Sequence, residues 1–256
     1  MSYTISEHNP ERQHILAEIL NPPTQQVLAR LPKIPDARIL DLGCGQGNTT
    51  RCLAETLKPA VCTGLEYDAN LVEYAKTQPE NPPSVRFQQG DATQLPFADE
   101  SFDVVFCRYL LIHMSEPTRV IREMMRVVKP GGYAIAFEPD FAIEFSHPAC
   151  DALGSINKVW QKVFQNPTAG RELVHYFRGA GAAGIQAGAH LHLEHEDKKV
   201  KRLYRLTAEA TGPIAETKGV LSADEVRGMI EGLARLEGDP SSILVKFPDI
   251  WVIAQR

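Results

Sequence analysis

The spacing of apolar residues along this chain changes near residue 36. Before that point they recur at helical intervals. Ile15, Leu16, Ile19 and Leu20 share one face of a helix expected within residues 10–31. Asn21-Pro22-Pro23-Thr24 is expected to interrupt it, with Thr24 capping a second short helix that carries Val27, Leu28 and Leu31.

Short, nearly continuous apolar runs then take over. They predict strands at 38–42, 61–66, 85–88, 102–107 and 133–138. Between them lie helices near 47–57 and 69–78, and a third with Val120, Ile121, Met124, Val127 and Val128 on one stripe. Pro117 falls in the first turn of that third helix, where proline is tolerated, and Pro130-Gly131-Gly132 is expected to end it. Strands that are apolar on both faces and alternate with helices predict an α/β fold. Its parallel sheet is covered on both faces and has right-handed crossovers. In such sheets ligands bind at the carboxyl ends of the strands.

Beyond Glu138 the alternation becomes irregular. Residues 148–180 read as mostly helical, 187–194 as a strand, 198–210 and 222–237 as helices, and 250–254 as the last strand. Ser222 and Glu225 have the spacing of a capping box. The two long helical stretches read as insertions forming a cap.

Composition narrows the function. Of 256 residues, 43% are hydrophobic, enough for a sizeable core, and the net charge is −5. An acidic chain lacks the electrostatic footprint of a nucleic-acid binder. No apolar run is long enough for a membrane span, and the polar start, with its acids, resembles neither a secretory signal nor a transit peptide. A cytoplasmic protein is expected. Cys44, Cys52, Cys62, Cys107 and Cys150 are scattered without a CxxC, which argues for reduced thiols over disulfides or a zinc site.

The strongest chemical signal is Ile39-Leu40-Asp41-Leu42-Gly43-Cys44-Gly45-Gln46-Gly47, a strand running into three glycines and a helix. The third glycine comes one residue earlier than in the dinucleotide fingerprint. Asp41 is poorly placed to welcome a pyrophosphate and well placed to hold an ammonium group, directly or through water. The ligand therefore reads as a nucleoside with a cationic amino-acid tail.

ILDLGCGQG resembles the first motif of class I S-adenosylmethionine-dependent methyltransferases. LEYDANLVEYA, GDATQLPF, FDVVFCRYLLIHM and VVKPGGYAIAFEPD follow in family order, over roughly residues 36–140, and PDIWVIAQR fits the family's ending. The resemblance implies a Rossmann-like, seven-stranded, mostly parallel sheet with its last strand antiparallel. It divides the chain into an N-terminal helical lid over 1–35, a cofactor-binding core over 36–140, and the remaining strands with cap insertions over 141–256. It implies S-adenosyl-L-methionine as cofactor and S-adenosyl-L-homocysteine as product.

Carried onto this chain, the motifs assign Gly43, Cys44, Gly45 and Gly47 to the methionine part of the cofactor and Asp41 to its amino end. Glu66 would accept both ribose hydroxyls, Tyr67 would cover the adenine or ribose, and Asp91 would accept from the adenine amino group beside Ala92. Cys107 and Arg108 would lie near the sulfonium. Most related proteins carry a small or amide residue where Arg108 stands, which leaves its role open.

For the chemistry, His113 follows the fourth strand near the expected methyl and is the candidate general base. Glu138 and Asp140 end the fifth strand, where each can bind a polar acceptor group or cap the next helix. His190 and His192 share a strand face with His195 nearby, but no further ligand completes a metal set. Lys198, Lys199, Lys201, Arg202 and Arg205 read as the solvated face of a helix. Phe141, Phe145, Trp160, Phe164, Tyr176, Phe177 and Tyr204 lie outside the central sheet, and some are expected to line a cap over the acceptor with Tyr3 and His8. Residues 168–173 and the Ala-Gly-rich stretch after them resemble small-molecule methyltransferases of secondary metabolism and quinone biosynthesis. A small, apolar or aromatic acceptor is expected. Two alternatives stay open: the same fold and cofactor without methyl transfer, as in a cyclase or binding module, and a nicotinamide-dinucleotide oxidoreductase.

Overall fold

The computed structural model describes residues 9–256. Tyr3 and His8 therefore lie outside the described residues. The central sheet is seven-stranded, in the order β3-β2-β1-β4-β5-β10-β7. Its strands are β1 (Arg38–Leu42), β2 (Val61–Glu66), β3 (Val85–Gln89), β4 (Phe102–Arg108), β5 (Val128–Pro139), β7 (Gly184–His190) and β10 (Asp249–Gln255). β1 through β5 pair in parallel, and β10 runs antiparallel to both β5 and β7. Chain order reverses direction across β1 and β4, so their carboxyl ends open the crevice expected at a switch point.

Helices α2 (Asn48–Leu57), α3 (Ala69–Lys76) and α4 (Pro117–Val127) connect the parallel strands, and α6 (Ala169–Gly179) lies against α4, β5 and β10. The cap is built from α1 (Pro10–Leu28), α5 (Asp151–Val163), α7 (Lys199–Thr217) and α8 (Ala223–Gly238). α7 packs on α1, α5 and α8, so the N-terminal helix and the C-terminal half form one layer above the sheet. Ser222 and Glu225 complete the expected capping box at the start of α8. No helix among the described residues is long and apolar enough to cross a membrane.

Four expectations about elements are corrected. α1 runs unbroken through Pro22 and Pro23. Its buried face continues through Leu20, Pro23, Thr24, Val27 and Leu28, and this packing outweighs the local cost of the prolines. Thr24 does not cap a second helix; its hydroxyl donates to the Leu20 carbonyl at 2.7 Å. Residues 130–132 do not close α4 but belong to β5, whose pairing with β4 shifts register between Phe102 and Val104. A Cβ on Gly132 would lie 2.7 Å from the Asp103 carbonyl, so glycine permits that close pairing.

The single strand expected at 187–194 is two strands in different sheets. β7 ends at His190, whereas β8 (Leu193–Glu194) joins β6 (Phe145–His147) and β9 (Ile243–Val245) in a small antiparallel sheet in the order β6-β9-β8. The basic run on α7 is not simply solvated. Lys201 is fully buried and its Nζ donates to the Ser242 carbonyl at 2.8 Å, while Arg202 and Arg205 both pair with Glu237.

Candidate active site

The turn after β1 is held from both sides. Gly43 and Cys44 donate their N–H groups to the Leu65 carbonyl at 2.8 and 3.1 Å, which ties the turn to the end of β2. Gly43 has φ +65°, and a Cβ there would meet Leu110 at 2.8 Å, so both conformation and space require glycine. Gly47, also left-handed, stands at the N-cap of α2 against Phe87.

Glu66 closes the turn. Its Oε2 accepts from the Gly45 N–H at 2.9 Å, and its Oε1 accepts from the N–H groups of Tyr67 and Asp68 at 2.8 and 3.1 Å. Asp41 lies beneath the turn. It is 1% exposed, and its Oδ2 accepts from the Thr50 hydroxyl at 2.7 Å. Burial pushes its carboxyl up to about 7, against the Thr50 hydrogen bond and the nearby Arg108 charge.

A cavity of about 540 Å³ opens beside this turn. Among the residues expected at the site, Gly43, Cys44, Glu66, Tyr67, Asp91, Ala92, Arg108 and His113 line it. Asp41, Gly45, Gly47, Cys107 and Glu138 are not on its wall. Gly45 has open space where a Cβ would stand, and Cys107 is buried in the middle of the sheet, paired with Leu42 and Ala136. Asp91 accepts from both the N–H and the hydroxyl of Thr93 at 2.7 Å, which fixes its carboxylate at the cavity edge.

Arg108 gains a structural context that the sequence left open. Its guanidinium donates to Asn21 Oδ1 and to Thr24 Oγ1, each at 3.0 Å. It thereby fastens the middle of α1 to the end of β4.

Glu138 does not reach the cavity. It is fully buried, and it accepts from the N–H groups of Leu110 and Leu111 at 2.9 Å each and of Ile112 at 3.3 Å. These are the orphan donors at the start of the short 3₁₀ turn Leu111–His113. Glu138 is thus a positioning residue for the segment that carries His113. Burial pushes its carboxyl up to about 8, and the three amide donors only partly oppose this. Asp140 is likewise turned away, held bidentately by Arg171 at 2.6 and 2.9 Å.

His113 lines the cavity and remains open to water there. Desolvation by the surrounding protein, helped by the Arg12 charge, lowers its pKa to about 4, so the imidazole is neutral at pH 7. Its ring meets Phe164 edge-on at 5.2 Å.

The rest of the cavity is aromatic. Phe141, Trp160, Phe164, Tyr204 and Phe247 all line it, with neighbouring ring centres 4.5 to 5.9 Å apart. Phe145 and Tyr176 are not on its wall, and Phe177 is buried core. Tyr204 donates its hydroxyl to Glu144 at 2.7 Å, away from the apolar space.

Several site residues were not singled out from sequence. Tyr109 lines the cavity at φ +56° and donates its hydroxyl to Asp249. Asp249 is fully buried and paired with the equally buried Lys246 at 2.8 Å. The spacing Lys246-x-x-Asp249, which runs into the start of the last strand, is the one signal available for that pair. His192 Nε2 lies 3.4 Å from Asp249, and its ring is 4.4 Å from that of His190. Among the described residues, no three His, Cys, Asp or Glu side chains are grouped to hold a metal ion. Arg12 also faces the cavity, from α1.

Residues 40–136 match the family described as "Methyltransferase domain". Demethylmenaquinone methyltransferase of Lactococcus lactis is 36% identical over 126 residues, which cover 48% of this chain and 48% of that protein. The chain spans about half or less of the length of the first curated relatives it matches. The structure of YcgJ from Bacillus subtilis superposes with a TM-score of 0.61 at 22% identity, covering 93% of this chain and 99% of that one. The [4+2]-cyclase SpnF superposes with a TM-score of 0.55 at 21% identity, covering 93% and 82%. At these identities both structures speak for the fold alone.

Proposed function

We propose that this chain carries a class I methyltransferase domain and moves a methyl group from S-adenosylmethionine to a small, apolar or aromatic molecule by in-line displacement. One observation carries the reading: a single cavity joins the Glu66-braced glycine turn to a wall of aromatic side chains. Its volume lies in the range of small-molecule sites.

The donor set suits a nucleoside with an amino-acid tail. Glu66 would accept the ribose hydroxyls with the lone pairs its backbone donors leave free. Asp91 would accept the adenine amino group beside Ala92, and the exposed Tyr67 would cover that end. Arg108 places a positive charge at the end of β4 for the tail carboxylate, with Asp41 beneath the turn favouring the tail ammonium. Bound S-adenosylmethionine supplies an electrophilic methyl group.

The protein's remaining work is alignment and exclusion of water. The aromatic wall orients a flat acceptor and keeps the space dry. The turn fixed by Glu138 presents His113, whose neutral ring can take a proton from an acceptor hydroxyl as the new bond forms.

The test is to incubate the protein with methyl-labelled S-adenosylmethionine and a panel of hydroxylated and carboxylated aromatic compounds. Label should appear in a low-mass product by mass spectrometry. Tight S-adenosylhomocysteine binding with no label transfer to any compound, and conversion of an unlabelled compound instead, would favour the cyclase reading.

A further inference from the structure

Arg12 is a half-buried cation with no acidic partner among the described residues. It enters the cavity from the first turn of α1, and its Nε–H donates to Thr207 Oγ1 of α7 at 3.0 Å. No carboxylate pairs with it among the described residues, whereas Arg108, Arg171, Arg202 and Arg205 each have a polar or acidic partner for their terminal nitrogens. Leaving partly desolvated guanidinium donors unpaired is costly, and desolvation lowers the Arg12 pKa to about 10.

Its neighbours place it at the acceptor end of the cavity. His113 and Tyr109 both lie within reach of its charge, and Thr207 and Tyr204 belong to the same helix of the cap. Arg108 differs in that its terminal nitrogen already donates to Asn21 and Thr24 of α1 and that Asp41 lies within its field. The terminal nitrogens of Arg12 offer a planar fork that suits two oxygens at once.

Resting on the methyl-transfer reading of this cavity, we propose that Arg12 is the specificity determinant for the acceptor, and that the acceptor is a flat apolar molecule bearing an anionic oxygen, held by the Arg12 guanidinium against the aromatic wall. The anion supplies the missing partner, and partial desolvation in the cavity strengthens the pairing. A neutral isostere would leave the guanidinium unpaired and be rejected.

The experiment uses 2-naphthoate and its neutral isostere 2-naphthamide as probes, titrated calorimetrically into the protein with S-adenosylhomocysteine present. Naphthoate should bind about tenfold tighter than the amide, as expected for a charge-assisted pair. Arg12→Gln should abolish that preference, and Arg12→Lys should keep part of it. S-adenosylhomocysteine and 5′-methylthioadenosine, which lacks the amino-acid carboxylate, are titrated separately into the same proteins. Equal binding of the two naphthyl probes, no binding of naphthoate, or a preference that survives Arg12→Gln would overturn the proposal. So would Arg12→Gln weakening S-adenosylhomocysteine but not 5′-methylthioadenosine, because Arg12 would then hold the cofactor tail. Since cofactor binding is scored apart from probe binding, failure of the cofactor reading and failure of the anion reading give different results.

Discussion

Glu66 Oε2 lies 2.9 Å from the backbone nitrogen of Gly45, so one charge-assisted hydrogen bond joins the end of β2 to the turn after β1. With Tyr67 and Asp68 donating to the other oxygen, the carboxylate is fixed before any ligand arrives. A rigid acceptor loses less freedom on binding than a mobile one, so this arrangement prepares the site.

The same logic applies to Glu138, whose buried carboxyl holds the amides that lead to His113. Its folded-state pKa is raised to about 8, above the ordinary value of 4.5. A raised carboxyl contributes stability that is complete below the unfolded pKa and is lost as pH rises toward the folded one. The stability advantage of the wild type over Glu138→Gln should therefore shrink between pH 5 and pH 8 in urea unfolding. An advantage that grows over that range would show that the carboxylate form is the one the fold prefers.

His113 is expected to stay neutral well below the ordinary histidine range. A depressed pKa means that the unfolded chain protonates first as pH falls below about 6.5, while the folded ring waits until about 4. The His113 ring signals in NMR, assigned by their loss in His113→Gln, should not titrate between pH 8 and pH 5.5. A midpoint near 6.5 would mean that neither the surrounding protein nor the Arg12 charge disfavours the protonated ring.

Arg108 should govern the attachment of α1. Arg108→Met removes the two hydrogen bonds to Asn21 and Thr24. Amide exchange across residues 10–28 should then accelerate by about tenfold or more, as expected for losing on the order of 1–3 kcal/mol of local stability, with the sheet unchanged. In the wild type, S-adenosylhomocysteine should slow exchange in residues 10–24 and 145–210 more than in the sheet. Equal protection of cap and sheet with and without ligand would argue against a lid.

How much of this was legible in the sequence varied with the physics of each element. β1, β2 and β4 were readable because both faces are buried, which leaves short apolar runs that are hard to mistake. The glycine turn was readable because only glycine tolerates its geometry at Gly43. β6, β8 and β9 were not, since strands of three residues or fewer are too short to show alternation. The continuity of α1 was hidden because a buried face overrode two prolines. Glu138 misled for a different reason. Its partners are backbone amides 26 to 28 residues away, and backbone groups leave no trace in residue identity. Arg12 could be placed only once α1 and α7 were seen to meet across the cavity.

The most direct test of the account is calorimetric titration of the wild type and Glu66→Ala with S-adenosylhomocysteine and with NAD. The wild type should bind S-adenosylhomocysteine and show no heat with NAD. Glu66→Ala should lose affinity by about 2–3 kcal/mol, the cost of removing a charged acceptor from two hydroxyl donors. NAD binding by the wild type, or unchanged S-adenosylhomocysteine affinity in Glu66→Ala, would contradict the assignment of this cavity.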